Sequence, residues 1–360
     1  MGKRVVVAMS GGVDSSVAAA LLQEEGYDVV GVTLRLWPEE EGHLHPCCLS
    51  EGVSDAQAVA RRLGIPHYVL NMEGPFSKHV VDYFCEEYAR GRTPNPCLAC
   101  NRVLKFQLLL RRALALGASH LATGHYCRIA PSPEGFRLLR GVDKTKDQSY
   151  FLYILGQQEM AHLMFPVGVL TKVQVRGYAR CRGLPVADKG ESQEICFVPG
   201  NYRSFVSRRL SPAPGPMVDT GGRVVGEHKG VALFTVGQRR GLGIGGGPVR
   251  YVVRLESDEC RVVVGGEAEL YSSWLRATDL SWTGKAPDKA MDVLVRVRHL
   301  SPLVSATITP AGGGVLVEFV LPQRAAAPGQ AVVFYAAANG GEEVLGGGTI
   351  DPVGVCQEGI

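Results

Sequence analysis

No run in this 360-residue chain approaches the ~18 consecutive apolar residues of a membrane-spanning helix, so no span is expected. The N-terminus lacks the basic, apolar and small-residue regions of a secretory signal and runs directly into a strand-like segment. A cytoplasmic location is the expectation. In that reducing milieu ten cysteines point to chemistry, metal binding or packing rather than to a disulfide scaffold. No internal repeat is visible, which argues against a solenoid. Tryptophan is scarce, and Trp37, Trp274 and Trp282 are expected to pack rather than to stack on bases. The apolar fraction, 46%, is ordinary for a globular protein, and the length calls for two or three domains.

Another absence bears on chemistry. The apolar run Arg4-Val5-Val6-Val7-Ala8 leads into Met9-Ser10-Gly11-Gly12-Val13-Asp14-Ser15-Ser16, and Val13, Val17 and Leu21 then recur at helical spacing. This is strand, glycine turn and helix start. The loop contains no lysine, so it is not a G-x-x-x-x-G-K-[ST] phosphate loop, and it does not follow G-x-G-x-x-G. Its glycines allow close backbone approach, and the unpaired N–H groups of a helix start favour an anion such as phosphate. Ser10, Ser15 and Ser16 add hydroxyls, and Asp14 is a candidate contact for a phosphate-bound Mg2+.

The first half alternates strands (3–8, 28–36, 66–71, 119–123) with helices (14–25, 53–63, 76–90, 101–116), and Gly26, Gly64 and Gly117 follow three of the helices. That alternation predicts an α/β unit with a doubly wound parallel sheet. Ligands then bind at the carboxyl ends of the strands, where Thr123-Gly124-His125 would also lie. His125 serves the ligand or braces the loop. After residue 200 glycine and proline become dense. Short β-type runs (251–255, 261–264, 293–297, 314–321, 331–335) predict two small antiparallel β-rich domains, their apolar residues forming core. The boundaries fall near 203 and 274, giving units 1–203, 204–274 and 275–360.

The net charge of +3 decides little, but its distribution does. Between Gly200 and Leu255 nine Lys/Arg face only Asp219 and Glu227, an excess that suits a phosphate backbone or simply a solvated basic face.

Thr93-Pro94-Asn95-Pro96-Cys97-Leu98-Ala99-Cys100-Asn101 is the second strong signal. Two prolines fix an extended loop, and C-x-x-C stands at the predicted start of helix 101–116. A thiol there is more readily ionised, and Arg102 and Lys105 push the same way. No second C-x-x-C exists to complete a zinc site. Cys196 lies almost a hundred residues away beside an apolar segment that could return to the sheet. Cys47 and Cys48 have no assigned role, and Cys85, Cys127, Cys181, Cys260 and Cys356 read as small packing residues.

The S-G-G-x-D-S string resembles the pyrophosphate loop of ATP pyrophosphatases, which cleave ATP to AMP and pyrophosphate and adenylate a substrate. With it stand Thr93-Pro94-Asn95-Pro96, Cys100-Asn101, Ala122-Thr123-Gly124-His125-Tyr126, Lys146-Asp147-Gln148-Ser149-Tyr150-Phe151-Leu152, Ile195-Cys196-Phe197 and Thr235-Val236-Gly237-Gln238-Arg239-Arg240-Gly241-Leu242-Gly243. In this order, over essentially the whole chain, they resemble the bacterial tRNA-specific 2-thiouridylase family. The glycine loop is common to many enzymes, whereas the K-D-Q-S-Y-F-L and G-Q-R-R-G-L-G strings are far more specific.

The resemblance implies an adenine nucleotide alpha hydrolase-like domain, a central tRNA-binding β domain and a C-terminal β-barrel. It implies a sulfurtransferase that replaces the C2 oxygen of uridine 34 in tRNA with sulfur after adenylation by ATP. It maps ATP contacts onto Ala8, Met9, Ser10, Gly11, Gly12, Val13, Asp14, Ser15, Leu34 and Gly124. Cys196 corresponds to the persulfide carrier loaded by a sulfur-relay protein. Cys100 corresponds to the nucleophile that releases the sulfur, as hydrogen sulfide or while forming a disulfide with Cys196. Asn95, Pro96 and Cys97 correspond to the segment at the target base. Lys146, Asp147 and Gln148 correspond to one tRNA contact, and Arg298 and His299 to another.

One position departs from the pattern. Many members carry Asp where this chain has Cys97, and a thiol does not replace a carboxylate as acid or base. Cys97, Cys100 and Cys196 together would suit a [4Fe–4S] cluster with one open iron, an alternative route to the same thiolation. Two further alternatives are a different adenylating ligase of the pyrophosphate-loop type, which needs neither Cys100 nor Cys196, and a non-catalytic RNA- or metal-binding module.

Overall fold

The computed structural model describes residues 2–37, 50–190, 195–198, 200–245 and 247–351. Cys47, Cys48, Cys356 and residues 191–194 lie outside these. No helix among the described residues is long and apolar enough to cross a membrane.

The first apolar run forms β1 (Arg4–Ala8). It is flanked by β2 (Asp28–Arg35) and β4 (His120–Thr123), with β3 (His67–Asn71) and β7 (Leu163–Met164) outermost. The order is β3-β2-β1-β4-β7, and every neighbouring pair is parallel. Side chains alternate across a strand. Val5 and Val7 therefore pack with Val17 and Leu22 of α1 (Val13–Glu24) and Val59 of α2 (Ser50–Leu63). Val6 packs on the other face with Phe106, Leu109 and Leu121. Burying each large apolar side chain contributes roughly 1.5–3 kcal/mol, so both faces are strongly covered. This is the doubly wound α/β unit that the alternation predicts.

The second sheet contains β8 (Gly215–Asp219), β9 (Val224–His228), β10 (Tyr251–Glu256) and β11 (Arg261–Gly265), ordered β10-β11-β8-β9. It is not purely antiparallel as expected, because β11 pairs with β8 in parallel. The third sheet closes on itself. β12 (Tyr271–Trp282), β15 (Gly314–Arg324), β14 (Val304–Ala311), β13 (Met291–Arg296), β16 (Ala331–Ala336) and β17 (Glu343–Ile350) follow one another, and β17 pairs back to β12. This six-stranded barrel begins at Tyr271, so β12 runs across residue 274.

The barrel sheet also takes in a piece of the N-terminal unit. The hairpin β5 (Cys127–Ser132) and β6 (Gly135–Arg140) adds to β17 through Leu139 opposite Glu343 and Leu138 opposite Val344. No strand is predicted there from sequence. Pro131 stands inside β5, which is tolerated because β5 is the outermost strand.

Candidate active site

A cavity of about 410 Å3 opens at the carboxyl ends of β1, β2 and β4. The strand order reverses direction on either side of β1, which is where open α/β sheets place their ligands. Ala8 to Ser15 line it together with Leu34, Thr123 to Tyr126, Cys100, Lys105, Lys146, Gln148, Lys172 and Lys189.

The glycine loop is rigidly braced. Ser15 and Ser16 hydroxyls donate to the Gly12 carbonyl at 3.2 and 2.9 Å, and the Ser10 amide donates to the Ser15 hydroxyl at 3.2 Å. Thr33 donates to the Met9 carbonyl at 2.8 Å and ties the loop entry to β2. Two positions require glycine. Gly11 has φ +74°, and a Cβ there would lie 2.3 Å from the Gly52 carbonyl oxygen at the start of α2. A Cβ on Gly124 would lie 2.5 Å from the Ser15 amide nitrogen.

Asp14, the candidate contact for a phosphate-bound Mg2+, is engaged by two side chains of the protein. Lys172 Nζ sits 2.8 Å from both of its carboxylate oxygens, and Tyr126 donates to one of them at 2.7 Å. Lys172 is the first residue of the helix Lys172–Cys181, where Thr171 and Gln174 form a reciprocal cap. A lysine opposes the dipole at a helix start, and Asp14 supplies the counter-charge. Lys105, Lys146, Lys172 and Lys189 on the wall outnumber the paired carboxylates Asp14 and Asp55, an excess that suits a polyphosphate. Sequence reasoning missed Lys172 and Lys189. The available signal for the first was a lysine one residue after a capping threonine.

His125 lies between Phe106 and Phe165 and shares a 2.7 Å hydrogen bond with Thr123. Burial, reinforced by nearby Lys105, holds its imidazole neutral, well below the usual value. Gln148 lines the cavity and accepts from the Tyr126 amide at 3.0 Å.

The cysteine helix starts earlier than predicted. Asn95 caps it by accepting from the Cys97 amide at 3.1 Å, Pro96 occupies the first turn, and the helix continues through Cys100–Leu109 with wider i→i+5 turns. Asn and Pro are the residues that open a helix. Cys97, not Cys100, therefore stands at the helix start. Cys97 is exposed and Cys100 half-buried on the cavity wall. Cys196 does not line the cavity, but it packs with Cys100 on one apolar cluster built around Trp37, Phe76, Phe84 and Phe197. Among the described residues no group of three His, Cys, Asp or Glu side chains can hold a metal ion.

Of the residues expected to contact tRNA, Asp147 is buried and Arg298 and His299 are half-buried. Asp147 is fully buried and accepts from Arg140 and from Arg296 of the barrel, each at 2.9 Å. Burial opposes its ionisation, but hydrogen bonds from Arg140 and Ser149 outweigh that and hold its carboxyl below the usual value. His299 packs its ring 4.4 Å from that of Phe151, and burial lowers its pKa. Arg298 donates to the Arg324 and Ala325 carbonyls. Arg208, Arg209, Lys229, Arg239 and Arg240 are each exposed.

Three family models match in succession: the tRNA methyl transferase HUP domain over residues 3–200, the tRNA methyl transferase PRC-barrel domain over 203–266 and the aminomethyltransferase beta-barrel domain over 272–350. The tRNA-specific 2-thiouridylase MnmA of Heliobacterium modesticaldum is 50% identical over 97% of this chain and 93% of its own. The chain belongs to the tRNA-specific 2-thiouridylase family. The Chloroflexus aurantiacus 2-thiouridylase is likewise 50% identical, over 96% of this chain and 98% of its own. A solved 4-thiouridine synthetase–RNA complex with bound ATP is 17% identical with a TM-score of 0.37, over 57% of this chain and 50% of that one. As a member of the 2-thiouridylase family the chain is an enzyme, a tRNA sulfurtransferase. The three matched segments follow the three sheets, except that β5 and β6 lie in the first segment and extend the third sheet.

Proposed function

We propose that this enzyme carries out ATP-dependent 2-thiolation of uridine 34 of tRNA. The observation that carries the reading is a single cavity that joins the S-G-G-x-D-S loop to Cys100. ATP lies with its phosphates over the loop amides and the lysines, and with its base toward Leu34 and Gly124. Mg2+ enters with ATP. The uridine, turned out of the anticodon loop, presents its C2 oxygen to the α-phosphorus. That oxygen forms the new P–O bond, and pyrophosphate leaves with the electrons of the old one. The wall lysines and loop amides stabilise the departing charge.

Sulfur arrives as a persulfide on Cys196, loaded by a donor protein. The Cys100 thiolate attacks the Cys196 sulfur, the persulfide S–S bond breaks, and hydrosulfide leaves as a Cys100–Cys196 disulfide forms. Hydrosulfide adds to C2, and AMP departs with the C–O electron pair. An external thiol reductant supplies two electrons to restore both cysteines. The packing of Cys100 and Cys196 on one cluster supports this pairing. Exposed Cys97, with Asn95 and Pro96, stands toward the target base. Lys146 and Gln148 line the cavity, and the exposed basic residues between 200 and 255 hold tRNA phosphates.

The test is direct. Cys100→Ser and Cys196→Ser should each abolish 2-thiouridine formation while leaving ATP binding intact. Full activity in either variant sinks the proposal.

A further inference from the structure

Lys189 lines the cavity, and its ammonium is hydrogen-bonded to Asp55 of α2. The two side chains keep only 24% and 29% of their surface exposed. The lysine is aimed from one side and neutralised from the other. Behind it, Arg176 donates to the carbonyls of Ala187 at 3.1 Å and of Lys189 at 3.0 Å, and Arg180 pairs with Asp188 at 2.9 Å. Both arginines belong to the helix whose first residue, Lys172, holds Asp14. A guanidinium spent on two carbonyls of one turn fixes that turn firmly. In front, Asp55 rides on α2, whose start abuts the glycine loop at Gly11 and Gly52.

We infer that Lys189 is a phosphate-contacting residue, held in reserve by Asp55 and aimed by Arg176, and that a polyphosphate takes the ammonium over from Asp55. The inference rests on the nucleotide reading of the cavity. A carboxylate beside an anion site repels the anion and competes for the cation. Asp55 therefore lowers affinity, and its function is to keep the lysine in place and the wall electrostatically balanced while the site is empty.

The sign of one substitution tests this. Asp55→Asn removes the competitor and should tighten binding of ATP and of inorganic pyrophosphate by about three- to tenfold, the scale of one unit charge several ångströms away near a protein surface. Lys189→Met should weaken both by about tenfold or more, Lys189→Arg should restore most of the loss, and adenosine should bind all variants alike. Calorimetry with the full chain reads each constant, and thermal melts establish that each variant folds. The inference is overturned if Asp55→Asn binds pyrophosphate no better than wild type. Wild-type affinity for pyrophosphate in Lys189→Met, or a parallel loss of adenosine binding, overturns it too. Wild-type protein that binds pyrophosphate but not ATP would instead refute the nucleotide reading, with the pyrophosphate comparison still deciding the role of Lys189.

Discussion

Replacing Asp147 with Asn removes one charge and almost no volume. Its carboxylate has no exposed surface and accepts hydrogen bonds from Arg140 and Arg296 at 2.9 Å each and from the Gly141 and Ser149 amides at 3.2 and 3.1 Å. Arg140 and Arg296 are themselves only 7% and 6% exposed. Without the carboxylate two guanidiniums share a dry junction with no anion. Breaking a buried pair in this way costs about 3–5 kcal/mol. With a urea slope of ~1–3 kcal/mol/M, the barrel transition should move down by about 1–5 M. Trp282, stacked on Phe334 inside the barrel, reports that transition by fluorescence once Trp37 and Trp274 are changed to Phe. Because the folded carboxyl titrates below its unfolded value, its contribution is present above about pH 4 and is lost as pH falls through the folded pKa. The difference between wild type and variant should therefore shrink in acid. An unchanged urea midpoint together with weakened tRNA binding would refute the argument and return Asp147 to the tRNA surface.

Gly124→Ala should weaken ATP binding by about tenfold or more in equilibrium titration, since its methyl must displace the Ser15 amide backbone; unchanged affinity would exclude that crossing from the site. Gly329 has φ +85°, and a Cβ there would lie 2.9 Å from the Thr93 amide nitrogen, whose N–H donates to the Pro328 carbonyl at 2.7 Å. Gly329→Ala should cost about 1–3 kcal/mol and lower the thiolation rate by displacing the cysteine loop, as chemical denaturation and a single-turnover assay would read. Burial depresses His67, His120, His228 and His299, and His125 further still. The unfolded chain then binds more protons than the folded one below about pH 6.5, so stability is full above that value and is lost as pH falls through it. Denaturation at pH 7.5 and 5.5 should give the lower stability at 5.5, and equal values would refute it.

The sequence showed the α/β unit within a few residues because short apolar strands alternate with helices that are closed by Gly26, Gly64 and Gly117. It did not show β5 and β6. Arg128, Arg137, Arg140 and Pro131 interrupt their apolar pattern, and Arg140 is tolerated inside only because Asp147 meets it. The glycine loop was legible because its chemistry is local. Lys172 and Lys189 were not, since their partners Asp14 and Asp55 lie more than a hundred residues away. The helix of Cys100 was legible, but its start was placed a turn late because Asn95-Pro96 was read as extended loop rather than as a helix opening.

The hairpin β5–β6 also sets an order of events at the ribosome. Its open edge at Leu138 and Leu139 is completed by Glu343 and Val344, which emerge roughly 200 residues later. At ~5–20 residues per second that interval lasts roughly 10–40 s. Until then Arg140 and Asp147 lack Arg296, and the edge of β6 stays available to any passing strand. The N-terminal unit, although first made, is among the last parts of the molecule to be finished.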